Sequence, residues 1–145
     1  MRVAALATWL LAALMGGYLL ATWIAHGGLR RRGERQSRFA PPLILGHGGL
    51  AATGLAVWIV YLFLATSVLA WAALADLVLV AGLGVTMFGL WLRTGHGRSA
   101  GRHVSGPRHA AEDHFPPPAV LGHGLFAGAT VALVLVTAGQ SAGWW

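Results

Sequence analysis

Two of the seven histidines stand in the same surroundings. Arg38-Phe39-Ala40-Pro41-Pro42-Leu43-Ile44-Leu45-Gly46-His47-Gly48 aligns without a gap with His114-Phe115-Pro116-Pro117-Pro118-Ala119-Val120-Leu121-Gly122-His123-Gly124, and seven of the eleven positions are identical. Prolines suit the first turn of a helix, whose N–H groups have no intrahelical partner. His47 and His123 are therefore expected about five residues inside a helix, roughly 8 Å below its start. The stretches that follow are uncharged, and an ionisable residue at membrane depth usually faces the bundle interior and marks a site. Imidazole is a standard axial ligand of haem iron. Each histidine lies between glycines, Gly46 and Gly48 or Gly122 and Gly124. Glycine weakens a helix, so its presence on both sides predicts that something bulky approaches the backbone. Small residues continue along the same face, Ala51 and Gly54 after His47, Ala127 and Thr130 after His123. The expectation is a slot for a flat macrocycle: one haem b, its iron ligated by His47 and His123 and closed to further ligands. The plainer reading is that the glycines serve close helix packing and the histidines bond across helices.

The remaining polar residues offer less. His26 and His96 end the helices upstream of each copy and are expected in the same layer as the first two. One four-helix bundle has no room for two haems in one layer, so His26 and His96, with Arg93 and Arg98, are assigned to propionates or a quinone pocket. Their alternative is simple placement at a membrane interface. His109-Ala110-Ala111-Glu112-Asp113-His114 has metal-ligand residue types in an order that matches no known signature, in a segment expected to lie in solvent. The absence of cysteine excludes disulfides and thiolate chemistry. The serines sit in loops and none forms a nucleophile elbow. Gly82 and Gly84 fall inside an apolar helix and make no phosphate loop. The basic segments lack interleaved aromatics, which argues against nucleic acid, and their charge suits anionic lipid.

These residues must be positioned by membrane-spanning helices. Of the 145 residues 57% are hydrophobic and 10% charged, against roughly a quarter charged in a soluble domain. Val3 to Ala25 is uncharged and long enough to span, and it ends in Arg30, Arg31 and Arg32 without the cleavage site of a signal peptide. The next uncharged run, Ala40 to Ala75, is too long for one span. A turn at roughly Thr66 to Ala73 divides it into helices near 42–65 and 74–93. Asp76 then falls in the first turn of helix three, where a negative charge suits the helix dipole. The prolines at 116–118 open a last helix near 118–138. The fold class is thus an all-α integral membrane protein, a four-helix bundle of two tandem hairpin repeats, about 1–66 and 74–145, in a single domain. Tandem repeats of this kind are related by an axis along the membrane normal.

Nine of the ten arginines lie in 26–40 and 93–115, and the tenth is Arg2. The positive-inside rule places both segments in the cytoplasm and both termini outside. Trp9, Trp71, Trp144 and Trp145 are expected at the outer interface and Trp23 and Trp91 at the inner one, as an aromatic belt.

Pro-Pro-Leu-Ile-Leu-Gly-His-Gly at 41–48, echoed at 117–124, resembles small bacterial four-helix membrane proteins with a repeated His-Gly at the start of helices two and four. More loosely, the chain is similar to b-type cytochrome membrane anchors, which hold haem between histidines and exchange electrons with quinone. It differs from two-haem cytochromes whose histidine pairs lie on both sides of the membrane. The resemblance implies a bacterial inner-membrane subunit for electron transfer near the cytoplasmic face, beside quinone or a larger respiratory or photosynthetic redox complex. The alternative is a structural subunit, or one whose histidines ligate (bacterio)chlorophyll.

Overall fold

A computed structural model describes residues 1–30, 37–95 and 110–144. Its elements are α1 (Arg2–Ala25), α2 (Pro41–Leu64), α3 (Ser67–Gly95), a short 3-10 turn (Ala111–His114) and α4 (Pro117–Ser141). Among the described residues there is no strand, and all four α-helices are long and apolar enough to cross a membrane. The proline openings occur as expected: Pro41 and Pro117 begin α2 and α4, each after a residue in extended conformation.

The boundary between α2 and α3 differs from the expected one. The turn occupies only Ala65 and Thr66, and α3 starts at Ser67. Ala65 takes a left-handed conformation, φ 52°, and its N–H returns to the Tyr61 carbonyl at 2.9 Å. One left-handed residue is enough to end a helix. Nothing in Val68 to Ala75 resists helix formation, so the chain turns at once. Asp76 consequently lies not in the first turn of α3 but nine residues past its start, about 13.5 Å along the axis.

The four helices form a square. α1 packs along α4 and α2 along α3, with narrower contacts between α3 and α4 and between α1 and α2. α2 and α4 occupy one diagonal, α1 and α3 the other. One core cluster gathers near the end that holds the termini and includes Ala5, Trp9, Trp58, Tyr61, Leu77 and Val134. A second, toward the arginine-rich end, gathers Trp23, Phe39, Ile44 and Ala111. Here the segments preceding α2 and α4 fold back over α1 and α3. The Trp23 indole N–H donates to Ser37 Oγ at 2.8 Å, and the Phe39 and Phe115 rings, matched in the repeat, lie 6.3 Å apart.

The tryptophan belt is partly corrected. Trp71 and Trp144 do meet at one end, with ring centroids 5.0 Å apart. Trp9 and Trp23 are buried inside the bundle, where their rings fill core volume instead of anchoring an interface.

Candidate functional site

His47 and His123 project from α2 and α4 into the centre of the square. Their ring centroids are 6.1 Å apart and their planes 66° from parallel. Each ring is tied to the helix beside its own. His47 Nδ1 lies 3.1 Å from the Val80 carbonyl on α3, and His123 Nδ1 lies 2.9 Å from the Ala12 carbonyl on α1. A carbonyl can only accept, so Nδ1 carries the proton on each ring. In the neutral imidazole Nε2 is then left with a lone pair.

What makes room for the rings was not anticipated from the flanking glycines. A Cβ on Gly16 of α1 would stand 3.0 Å from His123 Cε1, and one on Gly84 of α3 would stand 3.2 Å from His47 Cε1. Each imidazole therefore rests in a notch one turn beyond the carbonyl that holds it. The residues correspond pairwise: Ala12 with Val80, Gly16 with Gly84, and Trp23 with Trp91, all at one offset. The signal was present in the sequence as a repeated glycine seven residues before tryptophan. This register does not match His26 to His96, which stand two residues further apart.

The glycines beside the histidines are placed differently from the expected slot. Gly48 and Gly124 are exposed on the outer faces of their helices, and added methyl groups at Gly46, Gly48 or Gly124 would meet nothing within 4 Å. Gly122 packs on Met15, whose sulfur would stand 2.9 Å from a Cβ there. Along the small-residue face, Gly54 lies under Asp76, and Thr130 Oγ1 is 3.0 Å from Thr8 Oγ1.

The single layer of four histidines is overturned. His26 caps α1 ten residues beyond Gly16, about 15 Å from the His123 notch. It is exposed, its Nδ1 is 2.7 Å from the Thr22 carbonyl, and its ring stacks on His114 at 3.8 Å. The cause is the overhang of α1 and α3 at the arginine-rich end, which sets the His47–His123 pair level with the middle of both helices. Arg93, near the end of α3, borders a groove of about 280 Å³ with Val85, Thr86, Gly89 and Leu90, and neither His47 nor His123 lines it. His96, Arg98, His103 and His109 lie outside the described residues.

The 111–114 segment is solvated only in part: Asp113 and His114 are exposed, as expected, and the first two residues are not. Ala111 and Glu112 are fully buried, because the turn packs against α1 and α3 beside Phe39 and Phe115. Glu112 Oε1 accepts the Arg38 backbone N–H at 2.8 Å, and Asp113 pairs with the Arg38 guanidinium at 3.6 Å. Among the described residues no three His, Asp or Glu side chains are grouped to hold a metal ion.

Set against known protein families, curated proteins and solved structures, the chain matches none of them.

The histidine pair suits the axial positions of a haem in two respects. Two collinear imidazoles at about 2.0 Å from a metal have centroids about 6.3 Å apart, close to the spacing seen here. A ligating histidine usually gives its other ring N–H to a carbonyl or carboxylate, which fixes the tautomer and orients the ring. Both rings already do so.

Proposed function

We propose that this chain is a multi-pass subunit of a bacterial inner membrane that binds one b-type haem between His47 and His123. One observation carries the reading: two repeat-related imidazoles meet across the bundle, each with Nδ1 tied to a neighbouring backbone and Nε2 without a hydrogen bond among the described residues. When bound, such a haem supplies one-electron chemistry. The protein's part is to orient the donors. Ala12 and Val80 hold the tautomer, Gly16 and Gly84 admit the rings, and apolar helices exclude water. An electron-transfer role beside quinone or a larger redox complex follows from this reading. The arginine-rich segments are cytoplasmic and both termini extracytoplasmic, since nine of the ten arginines fall in the sequence segments 26–40 and 93–115. A reporter fused to the C-terminus should therefore read as extracytoplasmic and one inserted at Ser99 as cytoplasmic. The reverse pattern would invert the assignment.

The second reading is a structural lock. The same Nδ1 contacts join α1 to α4 and α2 to α3 without any cofactor, and a (bacterio)chlorophyll would need only one histidine per pigment. A reduced-minus-oxidised absorption spectrum of the protein, purified after expression with ample haem, separates these. A low-spin haem spectrum supports the proposal; a colourless, folded protein supports the lock.

A further inference from the structure

Two turns from the histidine layer, toward the termini, the repeat breaks. By the register that equates Ala12 with Val80, Thr8 of α1 corresponds to Asp76 of α3. By the register that equates His47 with His123, Gly54 of α2 corresponds to Thr130 of α4. In one half the two hydroxyls meet, Thr130 to Thr8 at 3.0 Å. In the other half a carboxyl lies over a glycine, so close that a Cβ on Gly54 would collide with Asp76 Oδ2. Closing the helices at this level thus takes only two small hydroxyls. The carboxyl is more than packing needs.

Asp76 is half-buried as a residue, but its Oδ2 is buried and makes no hydrogen bond among the described residues. Among the described residues the one salt bridge is Arg38–Asp113, at the other end of the molecule. A carboxyl inside an apolar span with no cation beside it is carried far more cheaply with its proton than without. Two further buried polar atoms lack partners on the adjoining helix, Trp58 Nε1 and Tyr61 Oη. Gly54, Trp58 and Tyr61 are spaced four and three residues apart, so they form one stripe on α2. The stripe runs about 10.5 Å from the level of Asp76 toward the end of α2. There the Arg2 guanidinium lies 5.0 Å from the centre of the Tyr61 ring. The titratable groups on the helices around Asp76 are Arg2 and Tyr18 on α1 with His26 capping it, His47 and Tyr61 on α2, Arg93 on α3 and His123 on α4. Of these, Tyr61 and Arg2 lie on the stripe.

We propose that Asp76 is a proton-binding carboxyl within the membrane, reached from the end that holds the termini along the Trp58–Tyr61 stripe. The proton adds to a carboxylate oxygen and leaves from the same oxygen, with no other bond changed. This assignment is independent of haem. The test is dicyclohexylcarbodiimide, an apolar reagent that modifies protonated carboxyls, applied to the full chain in sealed liposomes of known orientation. Asp76 should carry the adduct, located by peptide mass spectrometry. Its labelling should rise about tenfold per pH unit as the pH falls toward the point at which the site is half filled, and level off below it. A pH change on the side of the termini should move that rate, and one on the arginine-rich side should not. Asp76→Asn should remove the adduct. So should Asp76→Thr combined with Gly54→Thr, which copies the hydroxyl pair of the other half and keeps the bundle closed. An unlabelled Asp76, or labelling that follows the pH of the arginine-rich side, overturns the proposal. Protection by sodium ion at constant pH overturns it in favour of a metal-cation site.

Discussion

The histidine layer and the layer two turns from it obey the same twofold relation to different degrees. In the first, both halves hold a ring in a glycine notch against a backbone carbonyl. In the second, Thr8 and Thr130 bond to each other while Asp76 hangs over Gly54. Matching of this kind separates what the bundle requires from what one half has added. Identical notches on both sides point to a task that needs two donors. An unmatched carboxyl points to a task that needs one.

The histidine layer can be broken first. Replacing His47 or His123 by Ala should abolish the low-spin haem spectrum or leave a five-coordinate one, and the two variants should behave alike. If both keep an unaltered low-spin spectrum, the proposed ligands are wrong. Next, Gly16→Leu and Gly84→Leu would drive a side chain into the facing imidazole. Overpacking of this sort costs about 1–3 kcal/mol. Gly48→Leu and Gly124→Leu, on the outer faces, should cost much less. Thermal unfolding in detergent compares the four, and equal losses at all of them would remove the notch from the account.

The second layer allows a finer test. Gly54→Thr alone should destabilise the bundle by collision with Asp76, and adding Asp76→Thr should restore it. The coupling between the two should exceed about 1 kcal/mol in a double-mutant cycle, and additive effects would refute the contact. The smallest effect belongs to Thr130→Val, which removes one interhelical hydrogen bond worth about 0.6 kcal/mol in membrane proteins. A change in unfolding midpoint larger than that of Gly16→Leu would show that the hydroxyl pair had been underrated.

Much of this architecture was legible in the sequence because charge and proline mark the ends of apolar runs. The four long apolar helices followed from such local signals, and the meeting of His47 with His123 from the repeat that places them at matched positions. The start of α3 did not, because the chain turns on Ala65, a residue with no turn signature. Asp76 was misjudged for the same reason, since its depth depends on that boundary. The notches at Gly16 and Gly84 were harder still. Each serves a histidine on another helix, more than thirty residues away for His47 and more than a hundred for His123. The glycines adjacent to the histidines in sequence are not the ones that seat the rings, since Gly48 and Gly124 face outward. The overhang of α1 and α3 likewise depends on how the segments before α2 and α4 fold back, which no periodicity within a helix records.

The notches also cross the repeat boundary. His47, in the first hairpin, leans on α3 of the second; His123, in the second, leans on α1 of the first. Neither hairpin can seat its own histidine. A lone hairpin could complete the arrangement only by lending its notch to a second copy and borrowing one in return. The fused chain has the character of such an exchange made permanent. It also sets an order of assembly, because α1 is made before α4 and its notch is filled only by His123 of α4. Of the four helices, the first to be made must wait for the last before its glycine is covered.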